Sequence, residues 1–389
     1  MKNATSLALM LLAIASASAC SGGGGASPSP SEGCEGAECP ENNRDDPFDP
    51  LEDPEPEGAP EPSPEAEPDD PVPDPGLLQS CHDAPLPSGL PTRDFNHTAS
   101  ELLARVGDPG HTSQDVFTTD LRDAIIPGKF AYGIVSKDLE DEQIEVWLDD
   151  CSGAYVKLGE STTDGDGRVS FRVPREALPP LGSYGVFLRV VGDGSSTRSV
   201  LQILPVGTRL IVFDIDETLT TDDLELFSDL FDDFFEPIST GEYDPEERAG
   251  GREITHLRFD QGYVILYLTG RPYWLTDRSR QWIADHDLAP GNLHVTDSDL
   301  EVIPNEGGVG DYKTLHLELL QEMGFVLDGA YGNAPTDIYA YGNANIPLER
   351  TWILGSHGGE GGTQAIGDDY LDHLPEASAE PMADQPFAR

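Results

Sequence analysis

The sequence predicts an acidic disordered leader, an all-β sandwich and an α/β domain on a parallel sheet, in that order along 389 residues. Three observations carry this reading. Between Glu32 and Pro75 there are 17 acidic residues and one basic residue, with proline every two or three positions. From about 80 to 205, short runs rich in Val, Ile, Phe and Tyr alternate with turn signals. Beyond about 206, continuous apolar runs alternate with helical stretches, the pattern of strands buried on both faces of a parallel sheet.

Composition narrows the function. With 23 Lys+Arg against 72 Asp+Glu, the formal net charge is −49. A nucleic-acid binder needs a basic face to replace counterions, which this balance opposes. Broad docking on an anionic bilayer through a polybasic patch is disfavoured for the same reason.

Residues 1–19 form a signal peptide. Lys2 supplies the positive start, Leu7 to Ile14 an apolar core too short to span a bilayer, and Ala17-Ser18-Ala19 the small residues before a cleavage point. Cys20 follows directly, which resembles a bacterial lipobox. That resemblance implies a lipidated Cys20 as mature N-terminus and membrane attachment through it. With Ser21 next, it implies the outer membrane of the cell envelope, on the periplasmic or surface side. Cys34, Cys39, Cys81 and Cys151 remain, an even number that suggests disulfides in an exported chain. Of the three possible pairings, Cys34–Cys39 with Cys81–Cys151 is preferred.

Residues 20–78 are a tether. Such a segment cannot bury enough apolar area to offset its ordering entropy, and proline with self-repulsion extends it. Residues 79–205 follow as the sandwich, immunoglobulin-like in its hairpins. Strand-forming runs are Lys129–Ser136, Gln143–Leu148, Tyr155–Leu158, Arg168–Val173, Tyr184–Val191 and Ser199–Leu204. Their close spacing suggests antiparallel pairing. Ala99–Val106 reads as a short helix. Asp164 and Asp166 fall in a turn rather than a calcium loop, because no twelve-residue loop with a terminal Glu follows.

Residues 206–370 carry the chemistry. Leu210-Ile211-Val212-Phe213 is a buried strand running into Asp214-Ile215-Asp216-Glu217-Thr218. Tyr263–Leu268 is a second, ending at Thr269-Gly270-Arg271-Pro272. A helix over Tyr273–His286 follows, then a strand at Leu293–Thr296. Asp311–Met323 reads as a helix with Leu315, Leu319 and Met323 as its apolar stripe. Gly329–Gly332 leads into Asn333 and Asp337, and Thr351–Leu354 is a last strand. Residues 371–389 read as a disordered tail.

Sites in such sheets form beyond the carboxyl ends of strands, so Asp214, Thr269 and Asp337 are expected together. Paired carboxylates at a strand end are costly unless a cation uses them, and magnesium answers that need while neutralising phosphate. Asp214 suits a nucleophile that forms an aspartyl-phosphate. Asp216 suits the acid that protonates the leaving oxygen and the base that activates water. Thr269, Gly270, Arg271 and Lys313 would bind the phosphoryl oxygens, Asp214, Asp216 and Asp337 the metal, with Thr218 and Asn333 in support; Arg271 equally suits pairing with the local acid excess.

In this order, the motifs resemble the haloacid dehalogenase (HAD) superfamily in its phosphatase branch. Asp214 and Asp216 match its first motif, Thr269 its second, Lys313 its third and Asp337 its fourth. More closely, FDIDETLTTDD, LYLTGRP and AYGNAPTDIYAYGNANIP resemble the catalytic domain of the lipins, magnesium-dependent phosphatidate phosphatases. The same domain closes phosphatidylinositol transfer proteins of the retinal-degeneration type. Glu217 stands where lipins have Gly, and Ala334-Pro335 replaces an Arg and its neighbour. The resemblance implies hydrolysis of a phosphorylated substrate such as phosphatidate through an aspartyl-phosphate. The alternative it carries is a module that binds phosphatidate or phosphoinositide without turnover. About 45 residues separate the first two motifs, which leaves room only for a small cap, and Leu224–Phe235 is an acidic amphipathic stretch within it. Arg258 is a further candidate phosphate-side cation. His256, His294, His316 and His357 read as surface or packing residues.

Overall fold

A computed structural model describes residues 78–82, 85–86, 88–133, 137–221, 245–296 and 306–387, and the side chains of 306 and 307 are not described. Cys20, the Cys34–Cys39 pair, the tether and the Leu224–Phe235 stretch lie outside the described residues.

The first part of the described chain is a β-sandwich. Its strands are β1 (Gln79–Cys81), β2 (Val116–Thr119), β3 (Ala124–Lys129), β4 (Ala131–Tyr132), β5 (Lys137–Asp138), β6 (Gln143–Asp149), β7 (Tyr155–Thr162), β8 (Arg168–Val173), β9 (Gly182–Val190) and β10 (Ser196–Leu204). The main sheet runs β2-β10-β9-β6-β7, with β1 also on β9, and β3 pairs with β8. Alternation in β6, β8 and β9 puts Ile144, Val146, Val169, Val173, Val186 and Leu188 into one core. Two expectations need correction. Among the described residues the strand read at Lys129–Ser136 is only β4 (Ala131–Tyr132), paired with β5, and the longer strand lies earlier, at Ala124–Lys129, in antiparallel register with β8. The main sheet is mixed rather than antiparallel, because β2 joins β10 and β1 joins β9 in parallel. Cys81 and Cys151 form a disulfide. A helix, α1 (Thr98–Val106), precedes β2.

The second part is a sheet with helices on both faces. Its strands are β11 (Arg209–Phe213), β12 (Val264–Pro272), β13 (Gly291–Thr296), β14 (Val326–Gly332), β15 (Thr351–Ile353) and β16 (Gln364–Ala365). They lie in the order β13-β12-β11-β14-β15-β16, every pairing parallel. The helices are α2 (Gly251–Asp260), α3 (Thr276–Asp285), α4 (Asp311–Glu322), α5 (Pro335–Asn343) and α6 (Leu374–Ser378). Both faces of β11 are covered: Ile211 and Phe213 join one core, Leu210 and Val212 the other. That explains why its sequence is a continuous apolar run rather than an alternation.

Helix α4 turns a different face inward from the one its leucines suggest. Lys313, Thr314, Leu317 and Leu320 are buried, whereas Leu315 and Leu319 are 66% and 44% exposed. Lys313 must reach the strand ends, and that fixes the rotation of the helix. The tail is ordered where it is described. Glu380 accepts Arg258 Nη1 and Nη2 at 2.9 Å each and Arg350 Nη1 at 2.7 Å. Gln385 bonds both the N–H and the carbonyl of Arg209 at the start of β11, at 3.0 Å each. Phe387 packs into a sheet core. A buried guanidinium demands a partner, and the tail supplies it.

The two parts share a tight seam. Asp115 accepts Val200 N–H at 2.8 Å and Arg280 Nη2 at 2.6 Å through Oδ1, and Leu293 N–H at 2.9 Å through Oδ2. The rings of Phe117 and Phe325 meet at 5.6 Å.

Candidate functional site

The carboxyl ends of β11, β12 and β14, with the starts of α4 and α5, bring the motif residues to one place. Asp214 directly follows β11, and its N–H donates to the carbonyl of Tyr331 on β14 at 3.0 Å. The ammonium of Lys313 lies 2.7 Å from Asp214 Oδ1 and 2.7 Å from Asp337 Oδ1. Asp337 Oδ2 accepts the N–H groups of Asn333 and Ala334 at 3.0 and 3.1 Å, so it caps the first turn of α5 while Oδ1 serves the site. Gly332 is required beside it: a Cβ there would sit 2.7 Å from Asp337 Oδ2. Thr218 Oγ1 reaches Asp214 Oδ2 at 3.1 Å and Asn333 Oδ1 at 3.0 Å, and it can donate to one of them at a time. Asp214, Lys313, Asp337, Thr218 and Asn333 are therefore gathered as expected from their strand-end positions.

Asp216 is held differently. Arg271 donates to its carboxylate through Nε (3.0 and 3.1 Å) and Nη2 (2.7 Å), and Thr269 Oγ1 through a 2.9 Å bond. Thr269 Oγ1 also accepts the Arg271 N–H at 3.1 Å. So the Thr269 hydroxyl and the Arg271 guanidinium, expected on phosphoryl oxygens, serve Asp216 here. Gly270 lies against Val309, where a Cβ would come within 2.9 Å of Cγ1. Arg258 is not in the site. It is fully buried behind the sheet, 4.6 Å over the Trp352 ring and bonded to Tyr331 Oη and Glu380.

Other site-shaping residues carried no sequence signal of their own. Ser279 Oγ accepts Arg271 Nη1 at 3.0 Å, and Tyr370 Oη donates to the Thr218 carbonyl at 3.2 Å. Glu217 has φ 53°, the left-handed region that favours glycine. Its side chain offsets that strain by accepting Asn333 Nδ2 at 2.8 Å. A Glu in the position that resembles a glycine was the one visible hint.

Burial pushes the Asp214 carboxyl up to about 7; Lys313 opposes this, and Asp337 and Asp216 add to it. Burial works to lower the Lys313 ammonium, yet Asp214 and Asp337 hold it above its ordinary value. Three carboxylates thus stand against two cations, Lys313 and Arg271. Among the described residues no three Asp, Glu, His or Cys side chains converge as a ready metal cluster. Asp216, expected as the third ligand, is turned onto Arg271 instead. Magnesium, however, commonly uses one or two carboxylates and completes its shell with water and phosphate oxygens. Asp214 and Asp337 fit that donor set: both are oxygen ligands, and both already face a single positive centre.

Parallel strand order and strand-end carboxylates define a HAD-like α/β domain, here beside a β-sandwich. The family model "PITM 1-3, LNS2 domain" matches residues 211–355, and "PITM 1-3, beta-sandwich domain" matches residues 109–203. The two matched ranges fall on the α/β part and on the sandwich respectively. Membrane-associated phosphatidylinositol transfer protein 3 of Homo sapiens is 28% identical over 305 residues, covering 76% of this chain and 29% of that protein. Protein retinal degeneration B of Drosophila melanogaster is 27% identical over 270 residues, covering 68% and 20%. Membrane-associated phosphatidylinositol transfer protein 1 of Rattus norvegicus is 26% identical over 309 residues, covering 78% and 23%. This chain matches 20–29% of the length of these relatives.

Proposed function

We propose that the LNS2 domain hydrolyses the phosphate monoester of a phospholipid such as phosphatidate, with magnesium as cofactor. The observation that carries this reading is the buried Asp214–Lys313–Asp337 group at the carboxyl ends of β11 and β14, with both 2.7 Å contacts made by one ammonium. Asp214 Oδ attacks the phosphorus in line, and the bond to the lipid oxygen breaks. Asp216, once released by Arg271 and protonated from solvent, gives its proton to that oxygen, which leaves as the alcohol. Water then attacks the aspartyl-phosphate and yields a proton to Asp216, and Asp214 is released with inorganic phosphate. Lys313 neutralises charge on the phosphoryl oxygens while it holds Asp214 in position. Asp214 and Asp337 would hold a magnesium ion, which would add to this charge neutralisation. Thr218 orients Asp214 when its hydroxyl donates there rather than to Asn333.

We place this chemistry in the bacterial envelope, outside the cytoplasmic membrane, anchored through lipidated Cys20. The Cys81–Cys151 disulfide favours such an oxidising setting. The relatives' names attach phosphatidylinositol transfer and membranes to those proteins, and a phospholipid substrate here follows by analogy.

One observation favours a second reading, binding of a phosphate headgroup without turnover. The grip of Arg271 and Thr269 on Asp216 must loosen before that carboxylate can serve a leaving group. The test is phosphate release by the full chain, from phosphatidate in detergent micelles and from a small aryl phosphate, with and without magnesium. Release that requires magnesium and disappears in Asp214→Asn is expected. Binding of phosphatidate with no release from either substrate would overturn hydrolysis and leave the binding module. Release from the aryl phosphate alone would move the substrate away from lipid.

A further inference from the structure

A guanidinium that the Asp214 centre does not use crosses the loops beside it. Arg248 lies ahead of α2 on a main chain anchored from both sides. Its N–H donates to the Leu219 carbonyl, and its carbonyl accepts the Gly251 N–H, at 2.8 Å each. Nη2 donates to the carbonyl of Glu217, the residue after Asp216, and Nη1 to the carbonyl of Asp368, at 2.5 Å each. Glu217 is three residues beyond Asp214, so their Cα atoms are at most about 11 Å apart. Two residues past Asp368, Tyr370 Oη donates to the Thr218 carbonyl. Arg248 thus stands at the rim of the site, between the loop that carries Asp214 and Asp216 and the segment that closes on it.

What Arg248 lacks is an anion. Among the described residues it makes no ion pair, in a chain with 72 acidic and 23 basic residues. Arg252, Arg258 and Arg271 each hold a carboxylate. The acids close to Arg248 in the chain or at its carbonyl partners are engaged elsewhere or turned to solvent. Glu217 Oε2 accepts Asn333 Nδ2 at 2.8 Å, Glu247 Oε1 the N–H of Arg252 at 2.5 Å, and Asp369 Oδ1 the N–H of Leu371 at 2.9 Å. Glu246 and Asp368 are exposed. Both side-chain bonds of Arg248 go to uncharged carbonyls, and its buried Nε has no partner. Carbonyl dipoles ease the loss of water but leave a full charge, half-buried and uncancelled. That charge is felt nearby: burial and then Tyr331 hold the Tyr370 hydroxyl well above its ordinary value, and Arg248 works against them. Arg248 has no bond to Asp214, Asp216 or Asp337, so the anion that relieves it is a different group from the phosphate that Lys313 would take. A guanidinium whose fork is held by two carbonyls suits phosphate oxygens.

We propose that Arg248 binds a second anionic phosphate group, carried on the same ligand whose first phosphate enters the Asp214 centre. The ligand class is a phosphomonoester with a further phosphate or phosphodiester, on a lipid headgroup or on a soluble molecule. This rests on the reading that the Asp214 centre takes a phosphate group, with or without turnover.

The test uses phosphonates, whose C–P bonds are not hydrolysed, so that magnesium can be present. Calorimetry compares propylphosphonate with propane-1,3-diphosphonate and pentane-1,5-diphosphonate on the full chain, on Arg248→Gln and on Arg248→Lys, with melting temperatures as the folding check. Gln keeps an N–H donor for a carbonyl and removes the charge. In the wild type at least one diphosphonate should bind about tenfold tighter than propylphosphonate, the worth of one charge-assisted hydrogen bond. Arg248→Gln should bring those affinities together, and Arg248→Lys should keep part of the difference. No preference for either diphosphonate in the wild type would overturn the proposal. So would a preference that survives in Arg248→Gln while all affinities fall alike, which would make Arg248 a support for the loop alone. Failure of every phosphonate to bind would instead overturn the reading of the Asp214 centre, and this one with it. Phosphatidylcholine vesicles carrying phosphatidate or phosphatidylinositol monophosphate then separate the sources. A preference for the second lipid that Arg248→Gln loses assigns the ligand to a headgroup. Vesicle binding without that preference, beside a diphosphonate preference that needs Arg248, assigns it to a soluble molecule.

Discussion

Two buried charge clusters lie on either side of Tyr331, and they are built to different accounts. Behind the sheet, Arg258 and Arg350 meet Glu380 and Asp328, and both guanidinium groups stack on Trp352 at 4.6 and 5.3 Å. With Arg209 also on Asp328 at 2.5 Å, three cations meet two carboxylates there, and the aromatic faces close the cluster. At the strand ends, among the described residues, Asp214, Asp216 and Asp337 pair with two cations, Lys313 and Arg271. One carboxylate is in excess, and the Asp214 carboxyl is pushed up first by burial and then by Asp337 and Asp216. A cluster in which every carboxylate has its cation holds a fold together; one with a carboxylate to spare keeps an affinity for a further cation.

The difference can be broken from either side. Asp214→Asn should cut turnover at least about a thousandfold, as removal of a nucleophile does, while circular dichroism shows an intact domain. Lys313→Met strands two buried carboxylates and should destabilise the chain by about 3–5 kcal/mol in urea unfolding. Magnesium at about a hundred times its dissociation constant should stabilise the wild type by about 2.7 kcal/mol; an equal rise in the melting temperature of Asp214→Asn would show that the ion binds elsewhere. Glu380→Gln leaves Arg258 without its anion and should cost about 2 kcal/mol, with turnover per folded molecule unchanged.

The smallest effect is in pH. Burial would raise Glu380, but Arg258 and Arg350 hold it below its ordinary 4.5. A depressed folded value means that its stabilisation is complete above 4.5 and is lost as pH falls through the lower value. The melting temperature of the wild type should therefore drop more steeply on acidification than that of Glu380→Gln. Parallel curves would remove Glu380 from the acid response.

The strand-end cluster was legible in the sequence because its parts are local. Buried runs such as Leu210–Phe213 announce a parallel sheet, and chemistry at their ends follows from the fold. The rear cluster was not legible. Glu380 pairs with Arg258 across 122 positions, and nothing near either residue signals the other, so a polar tail read as disorder and Arg258 as a phosphate ligand. Arg271 was open in the sequence between substrate and the local acid excess, and it takes the second by pairing with Asp216. Helix α4 misled for another reason. Leu315, Leu319 and Met323 form the longer apolar stripe, but the need to bury Lys313 outweighed it.

The disulfide has a mechanical meaning. Strand β1 is three residues long and holds β9 in a register of Gln79 to Gly182, Ser80 to Ser183 and Cys81 to Tyr184. Tension applied to the chain ahead of Gln79 would peel so short a strand away. Cys81–Cys151 transfers that load to the turn between β6 and β7, and β6 is braced on both flanks by β7 and β9. The covalent link makes the sandwich a firm mooring for whatever precedes it, and reduction of a single bond would slacken it.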